Sequence, residues 1–222
     1  MAARMDIGDS TLRSAKDYEN LIATLYARVK KTVELIEVPP VKALTAYGNQ
    51  PPGSEQFQRS IAALYGLAYT LKMGLKFTKL PRPEGYFDYK VGGLEAMWWS
   101  ADGTELDINN PETLRWRAFL MVPAFITPDL VAQAVTQAQL KHPEIDYDKL
   151  QLEQLEEGLS VQALHVGPYD KERETVDRMR AFTLDQDFEL AGPHHEIYIS
   201  DPGRTAPEKL KTVVRYSVKR RP

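Results

Sequence analysis

The 222-residue chain has no cysteine, which removes disulfides, thiolate metal sites, iron–sulfur clusters and a cysteine nucleophile together and suits a reducing compartment. It has no positive excess either. Against 28 Lys plus Arg stand 31 Asp plus Glu, a formal charge of -3, so no overall field gathers nucleic acid or an anionic membrane. No stretch approaches the roughly 18 apolar residues of a membrane span. The opening MAARMDIGDS has neither the apolar core nor the cleavage site of an export signal. A cytoplasmic protein with no nucleic-acid and no membrane partner is expected. The four histidines show no metal-ligand spacing, and P-loop, Rossmann and G-x-S-x-G signatures are all missing. The sequence therefore points to no metal and no cofactor.

What is present is an ordinary globular composition, 43% hydrophobic and 27% charged. Apolar residues at helical spacing between Asp17 and Val29 predict an N-terminal helix, followed by a strand over 32–38 that Pro39-Pro40 ends. Val41 to Tyr47 reads as a second strand. A Gly/Pro turn and Ser54 then start a long helix from Glu55 to about Leu75. Tyr86 to Ser100 and Leu114 to Val122 read as aromatic-rich strands, and Thr127-Pro128-Asp129 opens a helix that ends near His142. A strand over 159–166 leads through Gly167-Pro168 into a helix from about Asp170 to Phe182. Strands over 194–200 and 211–218 close the chain.

Residues 41–122 and 159–218 repeat one order of strand, turn, helix, strand, strand. A helix that covers one face of each sheet leaves the other face to be buried by pairing two copies. The expected fold is α+β: a fused two-repeat domain of antiparallel sheets with helices on one face and a ligand groove between repeats. Residues 1–37 would pack on this body as a helix and strand. Residues 38–222 would form the main domain, with repeat one over about 41–122, a linking helix over about 128–142 and repeat two over about 159–218.

Strand alternation places His194, Glu196 and Tyr198 on one face of HHEIYIS, with Ile197 and Ile199 on the other. The isoleucines are expected to face the helix layer, with Glu196 and Tyr198 opposite, on the groove. Plain solvation of that face is the competing reading. In LEAMWWS, Glu95 and Trp99 share parity while Trp98 points the other way, which favours Trp99 for a cleft. For Trp98 and Trp116, core packing stands level with ligand stacking. Tyr169, after Gly167-Pro168, either closes the groove or staples the helix entry, and Asp170 and Glu172 are assigned to the helix dipole. The candidate catalytic residues are Glu196, Glu95 and Tyr198; the candidate ligand contacts are Trp99, Trp98, Trp116, Tyr169 and Tyr198.

The stretches YGNQPPGSEQFQRSIAALYGLAYTLKM, LEAMWWS, HVGPYDKE and HEIYISDPGRTAPEKLKTVVRY together resemble the GyrI-like small-molecule-binding family, from about Val38 to the C-terminus. The resemblance implies duplicated βαββ modules of the SHS2-like kind with pseudo-two-fold symmetry, and an acidic pocket residue suited to cationic drugs, which falls on Glu196. LEAMWW and DPGRTAPEKLKT are similar to a stand-alone subfamily without a DNA-binding domain. That subfamily includes cyclopropanoid cyclopropyl hydrolases, which open the strained ring of yatakemycin- and CC-1065-type alkylators within an aromatic cage and so confer xenobiotic resistance. The implied partner is a planar aromatic or cationic small molecule, with a homodimer as an open option. Three readings follow: hydrolysis by water activated at Glu196 or Glu95 with a tyrosine donor, capture without chemistry, or inhibition of a protein partner such as DNA gyrase. In the first, burial is expected to raise the pKa of the activating carboxylate.

Overall fold

The elements follow from local signals. Ser54 accepts a hydrogen bond from the Phe57 amide at 3.3 Å, and Thr127 does the same for Leu130 at 3.3 Å, with Pro128 in the first turn. Both are side-chain caps of orphan N–H groups. The computed structural model describes residues 14–103, 106–108 and 110–222. In chain order it has α1 (Ala15–Ile22) running into a π-helical turn (Ala23–Ala27), β1 (Glu34–Val38), β2 (Val41–Gly48), α2 (Glu55–Lys76), β3 (Glu95–Ser100) and β4 (Leu114–Val122). There follow α3 (Pro128–Lys141), β5 (Gln151–Leu155), β6 (Gly158–Val166), a 3₁₀ turn (Tyr169–Lys171), α4 (Glu172–Asp185), β7 (Phe188–Tyr198) and β8 (Lys211–Arg220). No helix among the described residues is long and apolar enough to cross a membrane. The chain divides into two units: residues 14–20 with 41–155, and residues 21–40 with 156–222.

In the first unit the strands pair antiparallel in the order β3-β4-β2-β5. On one face Trp98 and Trp116, neighbours in register, are fully buried and meet Phe57 of α2 at ring-centroid distances of 5.2 and 5.0 Å. The Trp116 indole N–H donates to the Gln50 carbonyl at 2.8 Å. Gly48 makes this packing possible, because a Cβ there would fall on the Trp116 ring. On the other face Ala43, Met97, Phe119 and Leu155 cluster, with Val41 and Trp99 against them.

The strand expected over 86–100 begins only at Glu95. The preceding residues instead place Phe87 and Tyr89 each 6.1 Å from the Tyr18 ring, and both rings also meet Phe125. Gly92-Gly93 then offers no side chain to a sheet face. β5, absent from the sequence reading, pairs with β2.

In the second unit the order is β1-β6-β8-β7, again antiparallel. Each unit thus has a strand–helix–strand–strand run in which the last strand lies between the other two, flanked by one extra strand. Val161, Ala163 and Val214 pack on Met179 of α4. The opposite face holds Arg215, fully buried, with Nε and Nη2 donating to Gln162 at 3.1 and 2.9 Å, Nη2 to the Leu25 carbonyl at 2.9 Å and Nη1 to Glu157 at 3.3 Å. His195 meets the other oxygen of Glu157 at 2.9 Å. Burial pushes the Glu157 carboxyl up, but the charges of His195 and Arg215 prevail and hold it down at about 2.

Candidate functional site

The second unit's β7 breaks register with β8 between Ala191 and His195, where Gly192 adopts φ +70°. Such an irregularity re-aims the side chains that follow. Beyond it, alternation brings His194, Glu196 and Tyr198 to one face. Glu196 is paired with Val214 in register, and Val214 packs on α4. The face is therefore the one that α4 covers, reversing the expectation that the isoleucines would turn to the helix and Glu196 away from it. Alternation separates two faces but does not say which one a helix takes. Ile197 is instead buried on the side of Arg215, while Ile199 is exposed.

The helix contributes a residue that the sequence reading gave to the dipole. Glu172, Thr175, Met179 and Thr183 form the buried stripe of α4. Glu172 is only 5% exposed despite being the first helical residue. His194 Nε2 lies 3.1 Å from Glu196 Oε1 and 3.4 Å from Glu172 Oε2, and its Nδ1 meets the Tyr216 hydroxyl at 2.7 Å. Tyr198 donates its hydroxyl to Glu196 Oε2. Both oxygens of Glu196 are thus engaged within the unit. Glu172 Oε1, by contrast, is buried with no hydrogen-bond partner.

Two carboxyls around one imidazole divide their protons unequally. For Glu172, burial dominates and, with repulsion from Glu196, outweighs the hydrogen bond from His194, pushing the carboxyl up to about 7. For Glu196, burial also acts upward, but the hydrogen bond and charge of His194 and the Tyr198 hydroxyl outweigh it, so the carboxyl sits below its usual range. The raised carboxylate expected at Glu196 is therefore found at Glu172. Burial would deprotonate His194, yet hydrogen bonds to Glu172 and Glu196 hold it well above its usual value. Glu172, His194 and Glu196 offer three potential ligand atoms within 4.8 Å of one another, a spacing that suits a cation. A protonated His194 supplies such a charge from within the cluster.

Of the expected site residues, the second unit brings together Glu196, Tyr198 and Tyr169. The Tyr169 and Tyr198 rings meet edge to face at 6.1 Å, and Tyr169 remains 39% exposed. Burial, then Glu196, Glu172 and Asp201, pushes the Tyr169 hydroxyl up to about 12, so it stays a donor across the physiological range. In the first unit Trp98 and Trp116 lie in the core against Phe57, whereas Glu95 and Trp99 fall on the other face, Glu95 buried and Trp99 partly so. The sequence reading missed Glu172, His194 and Tyr216 as site members. The helical spacing of 172, 175, 179 and 183 is the signal that could have found the first of these.

Residues 127–219 match the family described as GyrI-like small molecule binding domain. A crystal structure of a hydrolase from Listeria innocua is 33% identical, covering 93% of this chain and 99% of that one, with a TM-score of 0.80. An uncharacterized conserved protein from Listeria innocua is 34% identical over 93% of this chain and 99% of its own, with a TM-score of 0.82. The C-terminal domain of EcmrR, 13% identical and covering 86% of this chain and 98% of that one, shares the fold at a TM-score of 0.53. No curated protein matches. With a buried, asymmetrically charged cluster on the module that the family match spans, and full-length likeness to the Listeria proteins, this chain belongs to the GyrI-like small-molecule-binding family.

Proposed function

We propose that the protein is a hydrolase that takes planar aromatic electrophiles and opens a strained cyclopropane ring in them with water, protecting the cell from DNA-alkylating compounds of the yatakemycin and CC-1065 type. The observation that carries this reading is the cluster of two carboxyls, an imidazolium and a tyrosine, of which one carboxyl is ionised and the other titrates near neutrality. That division is what proton transfer at neutral pH requires. The likeness to a Listeria hydrolase at 33% identity supports it.

The ligand stacks on the part-exposed Tyr169 ring, with Tyr198 set edge to face against that ring. One water, its proton drawn off by a carboxylate of the cluster, attacks the ring methylene. The carbon–carbon bond breaks and its electron pair moves through the conjugated ring onto the carbonyl oxygen, where the Tyr169 hydroxyl meets the growing charge. The oxygen then takes up one proton, so the product is the ligand plus one water. Ring strain supplies much of the driving force.

A cyclopropane-bearing alkylator incubated with the protein should gain the mass of one water. Turnover that survives Glu172→Gln, Glu196→Gln and Tyr169→Phe alike would remove the cluster from the reaction. The family match is to a small-molecule-binding domain, which favours a second reading, capture without chemistry. In that case the ligand returns from the protein at its original mass.

A further inference from the structure

Helix α2 carries two apolar stripes, and the core of the first unit uses only one. Phe57, Leu64, Leu67, Leu71 and Leu75 are buried. The second stripe runs through Tyr65, Tyr69 and Met73 to Phe77 at the helix end, a four-residue spacing that sets the side chains along one ridge. Tyr69, Met73 and Phe77 are 52%, 43% and 56% exposed, and the Tyr65 and Tyr69 rings lie stacked with centroids 6.2 Å apart. Single exposed apolar residues are ordinary, whereas a contiguous row beside a hollow marks a binding surface. Such a hollow, of about 480 Å³, lies along this ridge and is bordered by Lys79, Gln137, Lys141 and His142. All of these residues belong to the first unit.

The charges at the hollow have one sign. No carboxylate lines it. His142 is matched by Glu144 at 3.3 Å, but among the described residues neither Lys79 nor Lys141 makes an ion pair. Gln137 Nε2 donates to the Lys79 carbonyl at 3.1 Å, which ties the segment after α2 to α3 and holds Lys79 at the rim. Lys141, in the last turn of α3, also complements the helix dipole, a local use that calls for no aromatic row beside it. A second copy of the chain across a two-fold axis would set these lysines against themselves. A peptide helix needs anchors spread over two turns, whereas about 480 Å³ is the size of a small-molecule site.

We propose that this hollow is a second binding site, for an aromatic anion of drug size, a carboxylate or sulfonate on linked or fused rings. The rings lie on Tyr69, Met73 and Phe77, where aromatic faces and an adaptable thioether supply most of the affinity. Lys79 and Lys141 meet the anion; being exposed, they select its sign more than they tighten it. The site shares no residue with the cluster of Glu172, His194 and Glu196, so it stands whether or not the protein opens cyclopropanes.

The test uses the full chain and anilinonaphthalene sulfonate, an aromatic anion that fluoresces in apolar surroundings, with phenylnaphthylamine, the same rings without the sulfonate, as the neutral comparison. One sulfonate should bind per chain, and more weakly as salt screens the exposed lysines. Lys79→Glu with Lys141→Glu should weaken the sulfonate about tenfold or more and leave the amine unchanged. Met73→Gln with Phe77→Ser should weaken both about tenfold or more. All four side chains are exposed, so near-ultraviolet circular dichroism and the unfolding midpoint should match the wild type. Sulfonate bound equally by the wild type and both double variants, an amine bound by the wild type as tightly as the sulfonate, binding lost only with Tyr169→Ala, or no binding at all would overturn the proposal. So would a wild-type dimer that Met73→Gln with Phe77→Ser turns into a monomer, because the row would then be a subunit interface.

Discussion

The two units place different chemistry at the same point of one strand–helix–strand–strand plan. Where the helix begins over the second and third strands of the run, the first unit has Phe57 on Trp98 and Trp116, all buried and apolar apart from an indole N–H that finds Gln50. The second has Glu172 on His194 and Glu196, with Tyr216 behind. The plan tolerates either filling because the sheet and helix are held elsewhere, by Leu64, Leu67 and Leu71 along α2 in the one and by Met179 with Val161, Ala163 and Val214 in the other. An aromatic filling stabilises by burial and is indifferent to pH. A charged filling stabilises only while its protons are correctly placed, and that dependence is what a reactive site can use.

The sharpest way to break the comparison is to empty each position in turn. Trp116→Ala should cost about 3–5 kcal/mol through lost burial and the cavity left behind, equally at pH 5 and pH 8 in denaturant unfolding. His194→Leu should cost about 3–5 kcal/mol at pH 7, because two buried carboxyls lose their counter-charge. That penalty should be full below the ordinary histidine value of 6.5, because the folded value of His194 is raised, and should shrink only in stronger acid, below the ordinary Glu196 value of 4.5. The sign follows from Glu196, whose folded carboxyl lies below its usual value, so its contribution is present above the unfolded pKa and is lost on acidification. A pH-independent loss at His194 would mean that the cluster is packing rather than electrostatics.

Glu157 extends the contrast to the other face of the second unit. Its carboxyl is moved from 4.5 to about 2, worth about 3 kcal/mol of stability, fully present above pH 4.5 and lost as the pH falls through about 2. Glu157→Gln should therefore be destabilised at pH 7 and converge on the wild type in strong acid. Gly48→Ala should have the smallest effect, about 1–3 kcal/mol from forcing the Trp116 ring aside, with no change in pH dependence.

Much of this was legible in the residues. The capping signals at Ser54 and Thr127 gave two helix starts, and parity correctly grouped His194, Glu196 and Tyr198. The side on which that group lies was not legible, since both faces of the second unit's sheet are covered, one by α4 and the other by the segment carrying Leu25. Glu172 was hidden by its address: an acid at a helix start has a sufficient local explanation in the dipole. Only the buried spacing through Thr175, Met179 and Thr183 contradicts it. Residues 86–94 misled because aromatic density is shared by strands and by ring clusters such as that around Tyr18 and Phe125.

The most direct test of the account is the pH profile of kcat/KM for a cyclopropane-bearing alkylator, followed by mass for addition of water, in the wild type and in Glu172→Gln. The wild-type rate should climb through about pH 7, and the variant should be slowed by about 100-fold or more with no such climb. Equal rates and equal profiles in the two proteins would contradict it.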